Sequence, residues 1–140
     1  MTVTIHRGTH EIGGSCVEIR TQQTKILLDL GLPLDFDTRP QEQQEQIRRE
    51  ALEWAQDADA IFISHYHADH HGLLPDTHQD VASYATAGTA AMMHVTEVIH
   101  GRGDADYTRH IRTHANEADD RKVAPITGGH IRRTPYTVAH

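Results

Sequence analysis

The chain has 140 residues, enough for one domain and marginal for two. Its 13 Lys and Arg against 20 Asp and Glu give a net charge of -7, which argues against a broadly basic nucleic-acid surface. A single cysteine, Cys16, excludes an intrachain disulfide and a cysteine-based zinc finger.

Residues 2–6 alternate, with Val3 and Ile5 on one face, and predict a half-buried strand. Gly8 to Ser15 is a loop whose Gly8, Gly13 and Gly14 permit a tight turn and close backbone approach. Cys16 to Arg20 reads as a second strand, Thr21 to Thr24 as a polar turn, and Lys25 to Leu30 as a third strand. The run Ile26-Leu27-Leu28 predicts burial of that strand on both faces. Asp35 to Pro40 is a loop in which Thr38 is the expected cap of a helix, with Pro40 in its early turn. Gln41 to Gln56 carries Ile47, Ala51, Trp54 and Ala55 at helical spacing. Ala60 to Ile63 is a short apolar strand. Strand, helix and buried strand in succession point to an α/β protein.

Past Pro75, a short strand is expected near Ala82 to Tyr84, and then a helix over Thr86 to His100 with Ala91, Val95, Val98 and Ile99 on one face. In residues 101–122 charge is mixed in sign; Tyr107, Ile111, Ala115 and Ala118 fit a weak amphipathic helix, with a loop as the alternative. Ile126 to Thr134 and Tyr136 to His140 read as a strand or hairpin, bent or edged at Pro135. No repeat, low-complexity tract or linker is evident, so residues 1–140 are expected to form one domain. The first residues lack the apolar core of a signal peptide, and no apolar run approaches a membrane span. The expectation is a soluble cytoplasmic protein without a membrane partner.

Histidine is the compositional outlier, with 13 in the chain. Ser64-His65-Tyr66-His67-Ala68-Asp69-His70-His71-Gly72 concentrates four of them just after a buried strand, the end at which α/β proteins hold ligands. Imidazole and carboxylate suit zinc, and also manganese or iron. His65 and His67, two apart in an extended segment, project to the same side. Asp69 and His70 follow a change of chain direction and address a neighbouring point. One short loop can thus serve two adjacent metals.

His65-Tyr66-His67-Ala68-Asp69-His70 matches His-x-His-x-Asp-His, and the chain here resembles the metallo-β-lactamase fold. Gly8 to Cys16, Ile26 to Gly31, Ile63-Ser64-His65, His71 to Pro75, and Thr134 to His140 are similar to the β-CASP and ribonuclease J-like branch. The resemblance implies an αββα sandwich of the α+β four-layer type, of which these residues make the N-terminal half. It implies that His65, His67 and His140 hold one metal, that Asp69 and His70 begin a second site, and that Asp29 orients a ligand histidine by hydrogen bonding. Two divalent ions follow from it, zinc first and manganese as the alternative. The family's bridging aspartate and further distal histidine have no place here, so the second site is incomplete. The chain is then expected to be truncated after His140, weakly active or inactive alone, and completed by a second copy or a C-terminal partner chain.

The activity implied is hydrolysis of RNA phosphodiesters by a metal-bound hydroxide, with Asp69 both ligating and orienting it. Two alternatives stand beside it: a lactone or thioester hydrolase of the same fold, and a metal-binding but catalytically incomplete fragment acting through a partner. The late arginines Arg102, Arg109, Arg112, Arg121, Arg132 and Arg133 lie among acids and read as a solvated charged face rather than a phosphate grip. His71 is not a ligand by the resemblance. His6 and His10 read as surface residues, with the mouth of the site as the alternative. Glu11 is a candidate for positioning the glycine loop. His110 and His114 read as an exposed helix face, Met92, Met93 and His94 as packing, Cys16 as a small buried hydrophobe, and Trp54 as a helix-to-sheet anchor.

Overall fold

The computed structural model describes residues 1–77, 81–101 and 111–114. Alternating residues build a meander of β1 (Thr2–Arg7), β2 (Cys16–Arg20) and β3 (Lys25–Leu28), antiparallel throughout. The Thr21 hydroxyl accepts from the Gln23 and Thr24 amides at 3.2 and 3.0 Å and closes the turn between β2 and β3. Helix α1 (Gln41–Ala55) then carries the chain over the sheet to β4 (Ala60–Phe62), which runs parallel to β3. Next come α2 (Ala68–His71), β5 (Ser83–Thr86), α3 (Ala87–Ile99) and β6 (Arg112–His114). The described strands form one mixed sheet in the order β1-β2-β3-β4-β5-β6. Parallel pairing needs a crossover, and α1 and α3 supply two of them.

One sheet face is the core. Leu27, Ile61, Ile63 and Ala85 pack with Ile47, Ala51 and Ala55 of α1 and with Met93 of α3. Cys16 joins this core; burial pushes its thiol up to about 12 against the opposing pull of Arg7. Trp54 packs at the edge of the same core and stacks on His6 at 4.8 Å, tying α1 to β1. Register places Val3, Ile19, Ile26, Leu28, Phe62 and Tyr84 on the other face. There Phe62 stacks on Tyr84 at 5.3 Å, while Val3 and Ile5 are each 56% exposed.

The structure departs from the sequence reading in four places. Pro40, not Thr38, holds the N-cap position of α1, without a side-chain cap. The Thr38 hydroxyl instead donates to the Asp35 carbonyl at 2.7 Å, within a short 3-10 turn at Phe36–Thr38. Proline lacks only an amide that the first helical turn leaves unbonded anyway, so it can stand there. β3 is buried on one face rather than two, since Leu28 is exposed on the other. Helix α3 turns Met93 and Glu97 inward, and Val95, Val98 and Ile99 outward. Finally, Arg112–His114 is a strand, not part of a helix or loop. Tyr107, His110, Ala115, Ala118, the expected strands over residues 126–140, and Arg102, Arg109, Arg121, Arg132 and Arg133 lie outside the described residues. Arg112 stands over the Tyr84 ring and donates to its hydroxyl at 3.2 Å. Among the described residues, no helix is long and apolar enough to cross a membrane.

Candidate metal centre

The histidine motif begins where β4 ends, beside the end of β3. Its helix α2 has four residues, too few to persist unaided. The backbone around it supplies the stability. The Leu30 and Leu32 amides donate to the His70 and Ala68 carbonyls at 2.8 and 3.0 Å. The Ser15 amide, from the end of the glycine loop, donates to the Asp69 carbonyl at 3.0 Å, and the Gly31 amide donates back to Ser15. Gly31 sits against the Asp69 carbonyl so closely that an added Cβ would overlap it. Any side chain there would push the motif off the sheet end.

Asp29 follows β3 in the left-handed region, with φ 62°. That conformation costs a non-glycine residue about 1–2 kcal/mol, least for Asp and Asn. It turns the Asp29 carboxylate toward the motif. There, 7% exposed, it accepts from the Ser64 amide at 2.7 Å, the Ser64 hydroxyl at 2.6 Å and His70 Nδ1 at 2.8 Å. A carboxylate only accepts, so His70 Nδ1 carries a proton, and the neutral imidazole then has its lone pair on Nε2. That Nε2 lies 3.5 Å from Asp69 Oδ2.

His65 Nε2 lies 2.9 Å from His67 Nδ1, with the two rings nearly perpendicular at 85°. Burial, followed by the neighbouring His67 and His70, holds the His65 imidazole below its ordinary range. The neutral form this favours is the ligating form. The structure therefore presents two donor pairs on one short segment, two imidazoles in one and an imidazole with a carboxylate in the other. Such nitrogen and oxygen donors fit zinc and its borderline neighbours. Among the described residues, no three potential ligands converge on one point. His140 lies outside the described residues.

Other histidines have different surroundings. His71 is buried and its Nε2 donates to the Tyr66 carbonyl at 2.8 Å. His6 Nε2 meets Glu18 at 3.1 Å, so this side chain belongs to the Trp54 anchor rather than to the mouth of the site. His10 is exposed on the glycine loop. Glu11 does hold that loop: its carboxylate bridges Arg7 Nε at 3.6 Å and Arg39 Nη2 at 2.8 Å. Ser64 also belongs to the site, and its only sequence signal is a small hydroxyl between strand and motif. A cleft lined by Glu11, Ile12, Leu34, Asp35 and Arg39 has no signal in the sequence, because its residues come together from separate loops.

A family model for the metallo-beta-lactamase superfamily matches residues 11–130. The chain belongs to that superfamily. The mixed sheet with its helices is part of the metallo-beta-lactamase fold, and membership implies binding of divalent metal. An RNase J-like protein of Methanocaldococcus jannaschii is 34% identical over 91 residues, covering 65% of this chain and 19% of that protein. A transcription termination factor, FttA, of Methanothermobacter thermautotrophicus is 30% identical over 100 residues, covering 66% of this chain and 15% of that protein. This superfamily member thus spans about a fifth or less of the length of those relatives. Among solved structures, the short form of human tRNase Z aligns with TM-score 0.40 and 19% identity, over 71% of this chain and 40% of that one.

Proposed function

We propose that this chain carries the metal-binding motif of a nuclease that hydrolyses phosphodiester bonds in RNA. The observation that supports it most is the pairing of donors: His65 Nε2 with His67 Nδ1, and Asp69 Oδ2 with an His70 Nε2 whose tautomer Asp29 fixes. The first pair would hold one divalent cation, with His140 as its third ligand, and the second pair would begin the site of another. Bound there, such cations supply Lewis acidity and make water a nucleophile near neutral pH. Asp69 would orient the attacking water with the carboxylate oxygen not engaged as a ligand. Asp29, with Ser64, would keep His70 Nε2 deprotonated and aimed.

The ligands still needed would come from residues beyond the described ones, from a second copy, or from a C-terminal partner chain. The relative named RNase J-like favours RNA over a lactone or thioester as the substrate. An RNA substrate also accords with a cytoplasmic protein. The test is incubation of the gel-filtered, zinc- or manganese-loaded chain with a labelled oligoribonucleotide, a lactone and a thioester. The expected result is slow RNA cleavage, abolished by His67→Ala, with neither small molecule consumed. Turnover of the lactone or thioester with intact RNA would overturn the reading.

A further inference from the structure

Beside the histidine motif lies the cleft the sequence did not reveal. Its walls are Ile12 from the glycine loop and Leu34 from the loop after β3. Both are largely exposed, Ile12 at 78% and Leu34 at 67%. Large aliphatic side chains exposed on a braced frame mark contact surfaces more often than scattered ones do. The frame is braced. The Leu34 amide donates to the Ile12 carbonyl at 3.3 Å, and Gly13 pairs with Pro33. Gly13, next to Ile12, links the cleft wall to the motif: a Cβ there would stand 3.0 Å from Asp69 Cβ and 3.1 Å from the Leu34 amide.

Arg39 forms the polar wall. Its Nε donates to Asp35 Oδ1 and its Nη2 to Glu11 Oε2, both at 2.8 Å. Two edge contacts fix the plane of the guanidinium, a flat group of the kind that stacks on rings. Glu11 is anchored in turn by Arg7, which ion-pairs with Glu50 of α1. The charge pattern decides the ligand chemistry. Two carboxylates already neutralise Arg39 at this rim, so a phosphate gains little there. A flat ring that stacks on a guanidinium and packs on aliphatic carbon gains most, and nucleobases meet that description.

We propose that the Ile12–Leu34–Arg39 cleft is a subsite for one nucleobase of the strand whose backbone lies at the histidine motif. This deepens the nuclease reading and rests on it. The subsite gives binding without demanding a base sequence, since its walls carry apolar carbon and a guanidinium face rather than a hydrogen-bonding code.

The test is an amide NMR titration of the full chain, with chelator present, using adenosine 5′-monophosphate, uridine 5′-monophosphate and ribose 5-phosphate. Both nucleotides are expected to shift the amides of Glu11, Ile12, Gly13 and Leu34, and the base-free sugar phosphate to leave them in place. Leu34→Ser or Ile12→Ser should weaken nucleotide binding about fivefold through lost apolar contact. Both positions are exposed, so these variants should keep the wild-type spectrum elsewhere. Arg39→Lys keeps the charge but loses the flat face, and should weaken binding as well. Equal shifts with ribose 5-phosphate, nucleotide shifts confined to other residues, or no loss in the three variants would overturn the subsite. Cleavage of a hexaribonucleotide by the zinc-loaded chain separates the two claims. Cleavage without any nucleotide response at the cleft removes the subsite and leaves the nuclease. A base-dependent response at the cleft without cleavage supports the subsite and removes the nuclease.

Discussion

Strand β3 carries a buried charge at each end, and the two are compensated differently. At its start, Lys25 is 5% exposed; its ammonium donates to Asp57 Oδ1 and to the Gln56 carbonyl, each at 2.7 Å, with Glu18 at 3.8 Å. At its far end, Asp29 is equally buried, yet among the described residues no Lys or Arg pairs with it. Hydrogen bonds from Ser64 and His70 satisfy its oxygens without cancelling its charge. Both ends also use an aspartate in the left-handed conformation, Asp57 at φ 60° and Asp29 at φ 62°. The first closes an ion cluster. The second leaves negative charge behind a row of metal-type donors, where an added cation is electrostatically welcome. The difference teaches that one buried charge is neutralised within the fold while the other is held only by hydrogen bonds.

The largest effect expected from breaking this arrangement is at the donor end. Gly31→Ala should cost more than about 3 kcal/mol, since the new methyl overlaps backbone rather than a side chain that can swing away. Urea denaturation measures it, and a wild-type midpoint would contradict the close packing of motif on sheet. Asp29→Ala follows, at about 1–3 kcal/mol for the Ser64 amide left unpaired in a part-buried position. The milder Asp29→Asn should lower zinc affinity roughly 10–100-fold by calorimetric titration, as loss of such outer hydrogen bonds usually does.

The start of β3 should respond less. Lys25→Met is expected to change stability by no more than about 1 kcal/mol, because the Asp57 carboxylate it abandons is well exposed and the buried ammonium is replaced by apolar volume. Zinc affinity should not change at all. Smallest is the acid response. The Arg20 hydrogen bond, followed by His6 and Lys25, holds the Glu18 carboxyl below its ordinary value of 4.5, and Lys25 likewise holds Asp57 below its ordinary 3.8. A lowered carboxyl contributes stability that is complete above the unfolded value and is lost as pH falls through the folded one. Stability should therefore decline below about pH 4.5, and Glu18→Gln should flatten that decline. An unchanged pH profile would show that the cluster does not act through Glu18.

Much of this was legible from residue order. Alternation marked β1 and β2, the helical spacing of Ile47, Ala51 and Ala55 marked α1, and the histidine cluster marked the segment that follows β4. What escaped was set by tertiary context. The face of α3 was obscured because its apolar residues outnumber the positions it buries, and packing chose Met93 over Val95 and Val98. Leu28 looked buried, as isolated apolar runs do, but the second sheet face leaves it open. The close approach at Gly31 and the bridging by Ser64 depend on two strand ends meeting, which no local pattern encodes. The cleft at Arg39 joins residues from loops far apart in sequence.

The central claim is that His65, His67, Asp69 and His70 form two donor pairs for divalent metal. Long-range proton–nitrogen NMR of the histidine rings during zinc titration tests it most directly. The account predicts that His65 Nε2, His67 Nδ1 and His70 Nε2 shift as metal is added, while His70 Nδ1 keeps its proton toward Asp29. Zinc-induced shifts confined to His6, His10 or His94 of α3, with the three motif rings unmoved, would contradict it.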